Sequence, residues 1–447
     1  LRFGDVNPLI SDQLTGDSRI LYIRDIRERV STLAPFLHFD ADPYPVITAN
    51  GIQWIIDAYT TTDRYPYGES ADTTQLALGS GLDHGFNYVR NSVKAVVDAY
   101  NGTVSFYVMP VDDPIIAAYR DAFPRLFSDF ADMPDDLKAH LRYPEDLFRV
   151  QTNMWARYHV EDPSGFYEGN DYWDVARDPG TVGASGRTVV TNAQGETVST
   201  RDARIDPYYL FTQLPGSKAP EFILLRPFVP TSEGDDNQLL TAFMVGKSDG
   251  ASYGKLVVYV MPRGNLPDGP AIVQGKIQSD LAVSEQETLL SGTGSDASFG
   301  SLTAIPIDGG LVYVRPFYVT SEETKIPALE QVIVYFEGDV AIRATLQEAL
   351  AAVFGESPPT LEEPGNGSGE PPPSQGTLTE QVAVLLTEAT KLFDEADAAL
   401  KAGDLGLYAD KTQAGQKKVA EAEQLIKDAS ATTGSTTTTT TTDGASA

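Results

Sequence analysis

Carboxylates and aromatic rings crowd one short stretch of this chain, Glu168-Gly169-Asn170-Asp171-Tyr172-Trp173-Asp174. Glu168, Asp171 and Asp174 are hard oxygen donors of the kind Ca2+ takes, and the adjacent rings offer faces for a cation or a sugar. The EF-hand spacing is absent, so a Ca2+ site on these three residues stands against the plainer reading of a solvated loop. No other metal or cofactor is expected. The four histidines, His38, His84, His140 and His159, are scattered and form no H-E-x-x-H or similar ligand spacing. With no cysteine in the chain, disulfides, thiolate catalysis, iron–sulfur clusters and cysteine-based zinc sites are excluded.

Nucleophilic chemistry has one motif to offer. Gly250-Ala251-Ser252-Tyr253-Gly254 matches G-x-S-x-G, but a nucleophile elbow needs a strand before the serine and a helix after it. Here residues 247–249 read as a turn and a strand follows at 256–261, so Ser252 is not assigned as a nucleophile. Neither G-x-x-x-x-G-K-[ST] nor G-x-G-x-x-G occurs, which removes support for nucleotide binding. Glycoside hydrolysis needs two carboxylates about 5–10 Å apart. Acidic pairs stand at Asp40/Asp42, Asp112/Asp113 and Asp135/Asp136, and nothing in their spacing juxtaposes them across a cleft. Asp112-Asp113-Pro114 is better explained as a helix start. No catalytic residue is assigned, and a non-enzymatic role is favoured.

The chain carries 63 acidic against 33 basic residues, a formal balance of −30. A phosphate backbone is repelled by such a surface, so nucleic acid is not an expected partner. Nothing approaches the roughly 18 consecutive apolar residues of a membrane span. No signal-peptide pattern opens the sequence, which begins at Leu1 and reads as an excised or processed segment whose signal or anchor lies upstream.

The elements that would position these residues read as an α+β fold. Residues 17–37 place Ile20, Ile23, Ile26, Val30 and Leu33 at helical spacing, with Asp17 or Ser18 as N-cap. Asn50-Gly51 and Asn101-Gly102 each join two β-rich runs and predict hairpins with type I′ turns. Residues 113–130 predict a helix that Pro124 kinks or splits. Strands are expected at 208–213, 222–228, 238–245, 256–261, 311–317 and 331–336, then a helix over 341–354. Leu225-Arg226-Pro227-Phe228 is echoed by Val314-Arg315-Pro316-Phe317, either as two related β units or by chance convergence of strand ends. Proline there predicts an edge strand or a bulge. The expected organisation is a mixed α/β region over 1–175 and a β-rich region over 176–355 packed with it. A Pro/Gly linker (356–376), a helical hairpin (377–430) and a disordered threonine-rich tail (431–447) follow.

Several stretches carry a family resemblance. They include LRFGDVNPLISDQLTGDSRILYIRDIRERVSTLAPFL (1–37), WIIDAYTTTDRYPY (54–67), YVRNSVKAVVDAYNGTVSFYV (88–108), DDPIIAAYRDAFPRLF (112–127), LRYPEDLFRVQTNMWARYHV (141–160) and YGKLVVYVMP (253–262). Through these the chain resembles the uncharacterised bacterial UPF0182 family of large multi-pass membrane proteins. The resemblance implies a membrane-embedded parent, with this region on the extracytoplasmic side of the cell membrane. It supplies no activity and no catalytic residues. The leading expectation is an assembly or interaction module of the cell envelope. Its hairpin would mediate self-association or contact other envelope proteins. An envelope-acting hydrolase with paired carboxylates and the outer domain of an envelope transporter are the alternatives.

Overall fold

In the computed structural model the described residues are 15 and 23–355, with gaps at 180–186, 192–196, 203, 232–238, 263, 265, 293, 308–309 and 322–324. A few helical residues between 391 and 418 are also described. Two compact units divide the chain, residues 1–359 and 360–447. The linker, nearly all of the expected hairpin and the tail lie outside the described residues.

The fold is α+β. Helix α1 (Ile26–Leu33) begins at Asp25, whose carboxylate accepts the Glu28 N–H at 2.9 Å. Its start is later than the apolar spacing predicts: Ile23 and Arg24 are not helical, and Asp17 and Ser18 lie outside the described residues. The first sheet contains β1 (His38–Phe39), β2 (Tyr44–Thr48), β3 (Gly51–Thr62), β4 (Tyr88–Asp98), β5 (Val104–Val108) and β6 (Phe127–Asp129). Its order is β1-β3-β4-β5-β6, with β2 also on β3; only β5 and β6 run parallel. Both expected hairpins are present. Their turns differ from type I′, because only Gly51 and Gly102 take positive φ, and the second loop is longer, closed by Asp98 accepting from Tyr100 N and Asn101 N.

Helix α2 (Pro114–Ala122) is capped by Asp113 and ends before Pro124, so that proline terminates the helix rather than kinking it. Val30, Ile56, Val93, Ala95, Phe106 and Ile116 form the core on one face of the sheet. The other face packs Val46, Ile55 and Val96 against Leu137 of α3 (Asp135–Lys138). Helices α4 (Glu145–Tyr158) and α5 (Pro163–Glu168) lead to the second half.

There β7 (Trp173–Val175) and the ribbon β8 (Arg187–Thr191) and β9 (Thr197–Asp202) precede β10 (Tyr208–Thr212), β11 (Glu221–Pro230), β12 (Ala242–Lys247) and β13 (Leu256–Val260). The second sheet has the order β10-β11-β12-β13, with β7 on β11. Helices α6 (Pro270–Ser279) and α7 (Leu281–Leu290) follow. The third sheet comprises β14 (Ser295–Phe299), β15 (Thr303–Ile307), β16 (Gly310–Ser321), β17 (Pro327–Phe336) and β18 (Asp339–Arg343). Residues 341–343, expected to be helical, close β18 instead. Helix α8 (Leu346–Phe354) starts only after Thr345, where Thr345 and Glu348 form a capping box.

The Arg-Pro-Phe echo is a structural correspondence. β11 pairs β10 up to Leu225 and β7 from Phe228; β16 pairs β15 up to Val314 and β14 from Phe317. In both, Arg-Pro fills the gap between two short strands that share one edge. These are interior strands, not edges; the other feature expected from proline, a bulge, is present in β16, where the register against β17 shifts between Phe317 and Tyr318. Pro227 and Pro316 are tolerated because the ladder is interrupted at that point, and their carbonyls still accept Ala176 N and Gly300 N at 3.0 and 2.8 Å. The two sheets stack in one sense. Ile223, Leu225, Phe243 and Val245 of the second face Tyr313, Phe317, Ile333 and Tyr335 of the third. The opposite face of the second sheet, with Leu224, Phe228 and Met244, packs on Leu147 and Phe148 of α4. Val312 and Val334, on the far face of the third, pack on Ala349 of α8.

Candidate functional site

A cleft of about 950 Å³ opens where the first sheet, α4 and the second sheet meet. Its walls come from distant segments: Tyr65 to Ala71 from the loop after β3, Phe86 to Asn91 from the start of β4, and Met109 to Val111 beyond β5. One face of α4 supplies Leu147, Val150, Gln151, Met154, Trp155 and Tyr158, and Met244, Tyr253 and Leu256 close the far side. Five of the exposed large apolar side chains, Tyr65, Val111, Trp155, Tyr158 and Leu256, stand at this one place. Three methionines add adaptable surface between the rings.

Polar groups on the walls are few and mostly engaged. Among the described residues Glu69 is the one acidic residue lining the cleft; Arg157 Nη1 donates to it at 3.0 Å and the Tyr158 hydroxyl donates to its other oxygen. That hydroxyl, chiefly, holds the Glu69 carboxyl below its ordinary range. Tyr143 donates its hydroxyl to Gln151 Oε1 at 2.7 Å. The Tyr143 ring lies over Gly246, where a Cβ would come within 2.9 Å of it, so β12 needs glycine at that position. Tyr88 donates to Asp113 Oδ1 at 2.9 Å, and Thr60 and Ser92 each donate to Oδ2 at 2.6 Å. Burial works against the Asp113 charge, but these hydroxyls and the N–H groups opening α2 outweigh it and lower its pKa.

Beneath the floor lies a buried charged layer. Lys94 and Asp57, directly paired across β3 and β4, form an ion pair with side chains 0% and 3% exposed. Lining residue Asn91 donates to Asp57, Lys94 also donates to Arg142 O at 3.3 Å, and the Tyr253 ring covers the ammonium at 5.3 Å. Next to it Asp40 Oδ2 accepts from Asp146 N at 3.1 Å and from the Tyr59 hydroxyl, while Asp146 Oδ2 accepts from Ala41 N at 2.8 Å. Burial, then the charges of Asp146 and Asp57, push Asp40 up to about 8. This reciprocal latch ties the end of β1 to the first turn of α4, the helix that supplies one wall of the cleft. On the far side Arg226, fully buried, reaches α4: its Nη1 donates to Thr152 Oγ1 at 2.8 Å and Asn153 Oδ1 at 3.1 Å, and its Nη2 to Gln75 Oε1 at 2.6 Å.

The residues singled out in the sequence fall elsewhere. Glu168 ends α5 and accepts from Asn170 Nδ2 at 2.7 Å; Asp171 is exposed with φ +61; Asp174 sits in β7, paired with Arg204 at 2.5 Å. Among the described residues no three acidic or histidine side chains converge as metal ligands. Ser252 donates to the Asp249 carbonyl at 2.8 Å within a 3-10 turn that leads into a strand, so no elbow forms. His38 stacks on His84 and His159 on Trp173. The sequence reading missed the buried layer, although a signal existed. Asp57 and Lys94 each interrupt an apolar strand, Ile55-Ile56-Asp57-Ala58 and Val93-Lys94-Ala95-Val96, and charges in such runs are paired when buried.

No solved structure matches the chain. Residues 1–290 match the family described as Uncharacterised protein family (UPF0182). A UPF0182 protein of Desulforamulus reducens is 39% identical over 411 residues, covering 91% of this chain and 41% of that protein. One from Sulfurovum sp. is 39% identical over 394 residues, covering 88% and 40%. One from Streptomyces coelicolor is 38% identical over 445 residues, covering 96% and 42%. The chain thus spans about two-fifths of the length of these relatives. With the family match running from the first helix into α7, the chain belongs to the uncharacterised family UPF0182.

Proposed function

We propose that this chain is a binding domain of a larger cell-envelope protein, and that it receives its ligand in the cleft between the first sheet, α4 and β12. The observation that carries this reading is the chemistry of the walls: rings and methionines converge there, in a chain whose surface is otherwise strongly acidic. A hydrolase would need two carboxylates facing each other across the cleft, whereas among the described residues Glu69 is the one carboxylate that lines it, engaged by Arg157 and Tyr158. The resemblance to multi-pass membrane proteins supports placing the domain on the extracytoplasmic side of the cell membrane. Residues 377–430, with their apolar stripes, supply a second contact for self-association or for other envelope proteins.

The test is a ligand screen against the 447-residue chain read by Trp155 fluorescence, with Met154→Lys as the control that places a charge in the wall. Ligands that quench Trp155 and lose at least tenfold in affinity with Met154→Lys support the reading. Ligands indifferent to that substitution, or turnover of a substrate by the chain, would sink it.

A further inference from the structure

One wall of the cleft is the open edge of a strand. β3 pairs along β4 from Tyr88 to Asp98, with a register shift that leaves out Ser92, but β5 pairs only with Val93 to Val97. The cause is local. Met109 N donates to Ser92 O at 2.9 Å as the last rung; Pro110 has no N–H with which to continue. Val111 N then turns back onto Met109 O at 2.8 Å, and the chain leaves the sheet. Residues 88–91 therefore carry a strand on one side only among the described residues, and all four line the cleft. Natural sheets seldom leave such an edge in an apolar cleft, because it is a template for another strand.

Charge at this edge is also distinctive. Among the described residues Arg90 is the one basic residue lining the cleft; it lies over the Tyr88 ring at 4.9 Å and donates to the neighbouring Val89 carbonyl at 3.2 Å. No carboxylate forms an ion pair with it among the described residues. Glu69 is held by Arg157, and Asp113 by its hydroxyl donors. In a chain of net charge −30 the cleft thus presents a cation that no carboxylate neutralises among the described residues.

We propose that the occupant is an extended peptide segment of a partner protein that pairs its main chain with the open edge of β4 at residues 88–91, setting an acidic group on Arg90 and apolar side chains among Met109, Met154 and Trp155. The inference rests on the cleft being a binding site and names what it binds. An acyl chain fits the apolar walls equally well, but it would strip water from the open N–H and C=O groups without supplying hydrogen bonds in its place. An added strand satisfies them at matched spacing.

The experiment uses the full 447-residue chain, a displayed pool of random ten-residue peptides, and oleate as the acyl probe. Synthetic copies of recovered peptides are then N-methylated at alternate residues. In a strand, only every second amide faces the β4 edge, so one methylated set should lose at least tenfold in affinity and the other should not. Arg90→Gln should weaken binding several-fold and flatten its salt dependence, and amides at 88–91 should slow in hydrogen exchange on binding. If peptides bind and neither methylated set matters, strand addition is refuted while the cleft remains a binding site. If oleate binds and quenches Trp155 while no peptide does, the occupant is a lipid and the inference falls alone. If neither binds, both readings fall.

Discussion

Replacing Asp40 by asparagine tests the latch between β1 and α4 directly. A carboxyl that titrates near its ordinary 3.8 in the unfolded chain and at about 8 in the fold is charged in one state and neutral in the other across that interval. Its folded pKa is raised, so its contribution to stability is complete below pH 4 and is lost progressively as pH rises to about 8. At 1.36 kcal/mol per pKa unit the interval corresponds to about 5–6 kcal/mol. Asp40 and Asp146 titrate as a pair, so part of that interval belongs to the pair and not to Asp40 alone, and a change of about 3–5 kcal/mol is the expected outcome of the single substitution. Asp40→Asn should therefore gain stability relative to the parent as pH climbs from 4.5 to 8.5, even if the lost carboxylate oxygen makes it less stable at the acid end. Urea unfolding at half-unit pH steps, with the two curves subtracted, reads this out. Two curves that run parallel would mean that Asp40 stays ionised throughout, carried by its hydrogen bonds from Tyr59, Asp42 and Asp146.

Other substitutions probe other parts of the molecule. Lys94→Met strands the Asp57 carboxylate and should cost about 3–5 kcal/mol in chemical denaturation, while Lys94→Met with Asp57→Leu should recover most of it; no recovery would mean that the pair is not coupled. Asp113→Ala removes the α2 cap and the anchor of Tyr88, and because its pKa is depressed in the fold the loss should be largest above pH 5 and shrink toward pH 2. Calorimetric titration with Ca2+ should be flat, given that Asp174 is committed to Arg204; a saturable isotherm weakened by Asp171→Ala would restore the loop at 168–174 as a metal site. Protease added to intact spheroplasts carrying the full-length parent should cleave within 356–376, and cleavage only after lysis would place the domain on the other side of the membrane.

Local physics was readable in the sequence wherever one segment decides its own structure. Asp113-Pro114 opens a helix because both residues suit its first turn, and Asn-Gly marks the two chain reversals of the first sheet. Where neighbours decide, the reading drifted. The apolar spacing over 17–37 overran the described helix start at Asp25, and β18 captured 341–343 because β17 lies beside it. Proline in Arg-Pro-Phe argues for an edge only if the flanking ladder is continuous, and the junction between two short strands cannot be seen along one chain. The cleft was invisible for the same reason: Tyr65, Tyr88, Met154 and Tyr253 share no pattern and meet only after three layers have packed. An exposed Trp155 or Tyr158 on a helix looks like any other surface residue until Leu256 and Val111 stand across from it.

The same-sense stacking of the second and third sheets gives α8 a role that its length does not suggest. Each sheet hides its arginine face against the layer before it and offers its plain face to the layer after it, an arrangement without a natural last member. Assemblies built on such unlike, non-closing contacts propagate into filaments unless something blunts the free end. Ala349, wholly buried on Val312 and Val334, is where α8 does so. Lifting the helix with Ala349→Glu should make sedimentation rise with concentration more steeply than in the parent chain; a folded variant that sediments as the parent does would show that the third sheet needs no terminator.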